Sequence, residues 1–319
     1  MAARKLKVIV TRKLPDPVET RMCELFDTEL NVSDKPMTAD ELVDAMSRAD
    51  VLVPTITDRI DSRLLSRSGD RLKLIANFGA GVDNIDVATA NARGIIVTNT
   101  PGVLTEDTAD LTMTLIMAAS RRIVEGAEVV KAGGFHGWSP TWMLGRRLWG
   151  KRLGIIGMGR IGQAIARRSL GFDMQVLYHN RSRLAPEQEA RANNARYVSK
   201  QELLQQADHV VLVLPYSKDT HHTIAAPELA LMKPTATLTN IARGGIVDEV
   251  AVAEALRQGR LGGAALDVFD AEPLKQAPHF EGCPNLVLTP HIAGVTTESN
   301  ERVSSLIADK VLQALAEAR

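Results

Sequence analysis

Short runs rich in β-branched residues alternate with amphipathic stretches along almost the whole of this 319-residue chain, and that alternation leaves few folds open. Lys7–Val10, Val51–Val53, Leu72–Ala76 and Ile95–Val97 read as strands in the first third. Helical patterns separate them, as at Asp40–Met46, where Thr38 stands as an N-cap and Glu41 completes a capping box. The strand pattern restarts at Leu153–Ile156 and continues through Gln175–Tyr178, Val210–Leu214, Thr235–Thr239 and Gly263–Val268. Strands that alternate with helices form βαβ units and pair in parallel. The expected class is α/β, with two parallel sheets in succession.

Composition narrows the function. Hydrophobic residues make up 45% of the chain, enough for packed cores and incompatible with wholesale disorder. The 38 basic side chains are matched by 38 acidic ones, so no net field draws the protein to phosphate backbones or anionic lipid. Neither nucleic acid nor membrane is expected as a partner. Two cysteines, Cys23 and Cys283, cannot make a disulfide framework or a metal cluster, and they suit a reducing cytoplasm. The apolar run near the N-terminus ends at Val10, too short for an export signal. The most apolar stretch, residues 111–119, falls well below the ~20 residues that a membrane helix needs.

Gly157-Met158-Gly159-Arg160-Ile161-Gly162 is a G-x-G-x-x-G string. It follows directly on the strand Leu153–Ile156 and opens a helix with Ile161, Ala164 and Ile165 on one face, the context that a dinucleotide fingerprint requires. Gly157 is expected to make the tight turn and Gly159 to admit the pyrophosphate. Gly162 would let helix and strand pack closely, and the helix N-terminus offers free N–H groups to the anion.

Cofactor choice is read at the end of the next strand, about 20 residues on, where an acid would bind the ribose 2′-hydroxyl. This chain has His179-Asn180-Arg181-Ser182-Arg183 there and no carboxylate. Arg181 and Arg183 would attract a 2′-phosphate and Ser182 could donate to it, which favours NADP(H) over NAD(H).

Three later segments carry groups suited to carbonyl reduction. Arg243, in Asn240-Ile241-Ala242-Arg243-Gly244, follows a strand and could grip a carboxylate through two parallel hydrogen bonds. Glu272 lies in Asp267-Val268-Phe269-Asp270-Ala271-Glu272-Pro273, and His291 in Pro290-His291-Ile292-Ala293-Gly294. Histidine, with a reference pKa of about 6.5, suits a proton donor to the carbonyl oxygen, and a neighbouring carboxylate such as Glu272 would orient it.

Between the two strand-rich regions, residues 105–131 read as one long helix. A glycine-rich loop follows that carries Phe135, and all three tryptophans, Trp138, Trp142 and Trp149, lie there or just beyond it. Aromatic rings on an irregular loop indicate a subunit contact. Near the C-terminus Val303, Leu306, Ile307 and Val311 share one helical face, which either sheet could take.

Taken together, these motifs resemble the D-isomer-specific 2-hydroxyacid dehydrogenases, and among them the NADPH-linked glyoxylate/hydroxypyruvate reductases. Asn77-Phe78-Gly79-Ala80-Gly81-Val82-Asp83 and Thr100-Pro101-Gly102-Val103-Leu104-Thr105 add to the likeness. The resemblance implies two Rossmann-like domains flanking an active-site cleft. Residues 1–100 and 290–319 would form the substrate domain, and residues 101–289 the inserted dinucleotide-binding domain. It implies reduction of a small 2-oxoacid, with Arg243, Glu272 and His291 as the catalytic set and no metal. Ala80, Gly81, Arg243 and Trp142 would hold substrate. Cofactor contacts would extend from the glycine loop to Thr108, Asn180, Arg181, Ser182, Pro215, Thr220, Ile241, Ala242, Asp267 and Gly294. The region 105–149 would be a dimerisation arm, giving a homodimer in which Trp138 or Trp142 reaches the neighbour's site. Many relatives carry Ser where this chain has Gly294, and NAD-dependent ones carry an acid where it has Asn180.

Alternatives stay open at this point. A phosphoglycerate dehydrogenase would share the motifs but often carries added regulatory domains. A formate dehydrogenase would have glutamine in place of Glu272. From a different class, a nucleotide-sensing co-repressor would need a peptide-docking surface.

Overall fold

The structure, a computed structural model, describes residues 4–317, with side chains described through residue 313. The chain divides into two compact units: Met1–Leu104 with Val295–Arg319, and Thr105–Gly294. The boundaries fall after Leu104 and Gly294 rather than at residues 100 and 289. His291 therefore belongs to the larger unit, because Asp267 of that unit binds the backbone of Ile292 and Ala293.

In the smaller unit five parallel strands, β1 (Lys7–Val10), β2 (Asp27–Glu29), β3 (Val51–Val53), β4 (Leu74–Ala76) and β5 (Ile96–Thr98), run in the order β2-β1-β3-β4-β5. This is the flavodoxin-like doubly wound order. The central strands are buried on both faces and so read as unbroken apolar runs, Val51-Leu52-Val53 being wholly inaccessible. Thr38 and Glu41 form the expected capping box on the helix Ala39–Arg48. The helix Thr297–Glu317 closes one face: Val303, Ile307 and Val311 pack with Val8, Val10 and Leu14, while Leu306 stays half-buried beside them. Each such aliphatic burial is worth about 1.5–3 kcal/mol. The three-residue strand β2 gave no readable pattern, because its residues are Asp27, Thr28 and Glu29 at a sheet edge.

The larger unit holds seven parallel strands: β6 (Arg152–Ile156), β7 (Gln175–His179), β8 (Arg196–Tyr197), β9 (His209–Leu212), β10 (Thr237–Asn240), β11 (Gly263–Leu266) and β12 (Leu286–Leu288). Their order, β12-β11-β10-β9-β6-β7-β8, is that of a dinucleotide-binding Rossmann sheet with one further strand. The order reverses between β6 and β9, and ligands of such sheets bind outside the carboxyl ends at that point.

The single helix expected over 105–131 is two helices, Thr105–Arg121 and Ile123–Lys131. Arg122 adopts a left-handed backbone, φ 53°, and its guanidinium pairs with Glu125. The Ser120 carbonyl, freed at the end of the first helix, accepts instead from the Arg146 N–H at 2.7 Å. A residue far along the chain thus ends the helix. No helix among the described residues is long and apolar enough to cross a membrane.

Candidate active site

The glycine loop joins β6 to the helix Arg160–Ser169 at the switch point of the sheet. Gly157 has φ 104°, and a Cβ there would lie 2.2 Å from the Val213 carbonyl oxygen just beyond β9. A Cβ on Gly162 would lie 2.4 Å from the Gly157 carbonyl, so neither position tolerates a side chain. Gly159 differs, since a Cβ built on it meets no atom within 4 Å. That open space lies at a helix N-cap without a side-chain cap, where backbone N–H groups are available to an anion. The loop therefore fits the pyrophosphate of a dinucleotide.

At the end of β7, Asn180 Oδ1 accepts from the Met158 N–H at 3.1 Å and ties this turn to the glycine loop. Arg181 and Ser182 are exposed. Arg183, expected to help attract a 2′-phosphate, is already engaged: it makes two 2.9 Å bonds to the buried Glu189, which also accepts from Tyr178 Oη at 2.6 Å. Arg183 first and Tyr178 second bring the Glu189 carboxyl down to about 2. Burial, then the bond to Glu189, pushes the Tyr178 phenol up to about 12. In the loop after β9, Thr220 Oγ1 accepts from the Ser217 N–H at 2.7 Å and donates to the Pro215 carbonyl at 2.9 Å. Thr108, Ile241 and Ala242 are buried.

Arg243, Glu272 and His291 follow β10, β11 and β12, three adjoining strands of one sheet, and so share its carboxyl edge. His291 Nδ1 stands 2.7 Å from Glu272 Oε2. An ionised carboxylate can only accept, so Nδ1 carries the proton and Nε2 is the atom left to act. Burial pushes the Glu272 carboxyl up. The bonds from His291 and the Phe269 N–H, with the charges of His291 and Arg243, outweigh that and leave it below the usual carboxylate range. His291 takes a left-handed backbone, φ 56°, costing about 1–3 kcal/mol for a residue with a side chain. Asp267 holds it there. That wholly buried carboxylate accepts from Thr289 Oγ1 at 2.6 Å, Ile292 N–H at 2.9 Å and Ala293 N–H at 2.8 Å. Any contact of Asp267 with nicotinamide would come in addition to this. Arg243 Nη1 donates to the Ala242 carbonyl at 2.7 Å, and Asn240 braces the same turn through the Ala242 N–H and the Arg243 carbonyl.

Two other histidines, His209 and His279, are placed differently. Burial pushes the His209 imidazole down to about 4, so it is neutral inside the sheet, and His279 is paired with Glu249 at 3.0 Å. Glu249 and Asp270 also brace the β10 and β11 turns, and sequence reasoning passed over both. Asp270 lies inside the Asp267–Pro273 motif, whereas nothing local distinguishes Glu249.

In the smaller unit, the loop after β4 is shaped by Asn99 Nδ2 donating to the Ala80 carbonyl and Asn77 Nδ2 to the Gly81 carbonyl, at 2.6 and 2.7 Å. The Ala80 and Gly81 N–H groups make no hydrogen bond among the described residues. Trp142 stacks on Phe135 with ring centres 5.8 Å apart.

Residues 113–293, more than half of the chain, match the model of the D-isomer specific 2-hydroxyacid dehydrogenase NAD-binding domain. The chain belongs to that family. It is an oxidoreductase of the 2-hydroxyacid dehydrogenase type, with a domain for a nicotinamide dinucleotide. It lies close to the glyoxylate reductases. The one from Pyrococcus furiosus is 41% identical over 312 residues, covering 97% of this chain and 92% of the relative. A 2-hydroxyacid dehydrogenase structure from Polaromonas superposes with TM-score 0.91 at 35% identity, over 98% of this chain and 97% of that one. The NADPH-dependent glyoxylate/hydroxypyruvate reductase of Sinorhizobium meliloti, solved with NADP and malonate, gives TM-score 0.83 at 30% identity, over 96% and 92%.

Proposed function

We propose that this protein reduces small 2-oxoacids, glyoxylate and hydroxypyruvate, to the 2-hydroxyacids, with NADPH preferred to NADH. The observation that carries the reading is the 2.7 Å His291–Glu272 pair, with Arg243 just past the end of the adjoining strand β10. Arg243 turns its planar fork to the substrate carboxylate, a task for which lysine is no substitute. For the Ala80 and Gly81 amides the family resemblance implies a part in substrate binding. A bound reduced nicotinamide supplies the hydride to the carbonyl carbon. His291 delivers the accompanying proton from Nε2 to the carbonyl oxygen, and Glu272 keeps the imidazole turned.

The NADPH preference rests on the turn after β7, where Asn180 stands in place of an acid and the Arg181 guanidinium is exposed. The NADP-bound relative from Sinorhizobium meliloti supports it. The dinucleotide would be held by Gly157–Gly162, with Thr108, Pro215, Thr220, Ile241, Ala242, Asp267 and Gly294 lining the remainder. The arm over residues 105–149 makes the protein a homodimer, and the free thiols Cys23 and Cys283 fit a cytoplasmic setting.

The test is the initial rate of absorbance loss at the reduced nicotinamide band, with each oxoacid and each cofactor. Turnover with an NADPH preference supports the whole reading. Equal use of NADH removes the argument from Arg181 and leaves the catalytic set standing. No turnover across a panel of 2-oxoacids overturns the catalytic assignment.

A further inference from the structure

We propose that Asp270 and Glu249 are positioning residues that lock the Arg243 turn to the Glu272 turn and thereby set the spacing of the catalytic groups. The inference rests on the roles proposed above for Arg243, Glu272 and His291. The ladder between β10 and β11 ends at Asn240 and Leu266, with one further bond from the Asp267 N–H to the Asn240 carbonyl at 3.0 Å. Arg243 and Glu272 both lie beyond it, where the sheet no longer dictates how far apart two turns stand.

Other contacts take over there. Gly244, next to Arg243, lies directly against the Phe269–Asp270 peptide: a Cβ on it would be 1.8 Å from the Phe269 carbonyl oxygen. The Gly245 N–H donates to Asp270 Oδ1 at 2.6 Å, joining the two turns. The Asp270 N–H in turn donates to Glu249 Oε1 at 2.7 Å, and the Phe269 N–H to Glu272 Oε1 at 2.9 Å. Both amides flanking this contact are therefore held by carboxylates, one of which also carries His291. Glu249 is buried at the start of the helix Glu249–Arg257, and His279 Nε2 fixes its second oxygen at 3.0 Å.

Bonds from backbone N–H to carboxylate are among the stronger ones, and losing the acceptor leaves the N–H unsatisfied. Catalytic groups must be held to about 0.5 Å, and a misplacement of about 1 Å can cost 10²-fold. The clamp acts where that tolerance is decided, yet neither Asp270 nor Glu249 is asked to touch substrate.

The test compares Asp270→Ala, Asp270→Asn and Glu249→Gln with the native enzyme. Asp270→Ala should lower kcat/KM for glyoxylate by about 10- to 100-fold. Its NADPH dissociation constant, read by fluorescence, should stay within about twofold, since the glycine loop is untouched. Asp270→Asn should recover most of the loss, because the amide oxygen still accepts from Gly245, and Glu249→Gln should be mild for the same reason. Native-like kcat/KM in Asp270→Ala would overturn the proposal. So would a failure of Asp270→Asn to rescue it, or an equal loss of NADPH affinity. Amide exchange at Gly245 reads the clamp without turnover: it should be protected in the native protein and released in Asp270→Ala, and a fast-exchanging native amide also overturns the proposal. A protected amide in a native protein inactive on every 2-oxoacid would instead overturn the assignment of Arg243, Glu272 and His291.

Discussion

The Nδ1 of His291 and the Oε2 of Glu272 lie 2.7 Å apart although 18 residues separate them in the chain, and the pair leaves a single imidazole nitrogen, Nε2, free to handle a proton. His291→Gln should lower kcat/KM by about 10²–10⁴ while leaving NADPH affinity intact. Glu272→Gln should cost less, since the amide oxygen can still accept from Nδ1–H and keep the ring turned. Because Glu272 is held below the usual carboxylate range, the pair should persist on acidification until the pH falls through that lowered value. A kcat–pH profile of both enzymes checks this.

Cofactor selection should turn on two residues of one turn. Arg181→Ala should raise KM for NADPH about tenfold, the equivalent of about 1.4 kcal/mol, with little change for NADH. Asn180→Asp should move preference toward NADH, because the new carboxylate repels a 2′-phosphate and can accept from a ribose hydroxyl. Arg183→Ala is different: it exposes Glu189 and should loosen the turn for both cofactors. Parallel titrations with NADPH and NADH separate the three.

The glycines of the loop should separate by phenotype. Gly157→Ala places a methyl 2.2 Å from the Val213 oxygen at φ 104° and should destabilise the domain by more than ~1 kcal/mol. Gly159→Ala meets nothing within 4 Å and should leave the melting temperature unchanged while weakening NADPH binding. Equal melting temperatures for the two variants would contradict this account.

Glu189 makes acid stability testable. Its carboxyl stands at about 2 in the fold against an ordinary 4.5, so the stability it contributes is fully present above 4.5 and is lost as pH falls through 2. Glu189→Gln should melt below the native protein at pH 7, and the gap should narrow between pH 4.5 and 2. A gap that stays constant over that range would contradict the linkage.

The arm should hold two copies together. Ile123, Val130, Trp138 and Leu144 are 57%, 62%, 82% and 64% exposed, and the helix Ile123–Lys131 has no buried residue, an apolar surface that calls for a partner. Replacing Val130 and Trp138 together by Glu should shift the sedimentation coefficient from dimer to monomer. A native protein that sediments as a monomer at micromolar concentration would remove the arm's proposed role.

What the sequence by itself determined is whatever depends on neighbours in the chain. The alternation of strands and helices, the capping box at Thr38 and Glu41, and the glycine loop after β6 are all set within a few residues, by side-chain periodicity and backbone freedom. Arg243, Glu272 and His291 stand out in the sequence as candidates, because each lies in a short motif just past an apolar strand, and the sheet brings those three strand ends side by side. Tertiary structure decided the rest. Arg122 and Arg146 divide a helix whose periodicity runs on unbroken, since the acceptor that Arg146 meets, Ser120, is remote in sequence. Glu189 claims Arg183, so a cation that looked available to a phosphate is already neutralised. Asp267 fixes the strained His291 turn, and Glu249 reaches Asp270 across two loops. Apart from Arg183 and Glu189, which lie six residues apart, each charge or backbone N–H finds its partner far away in the chain. Only the folded chain, by bringing those distant segments together, settles which partner that is.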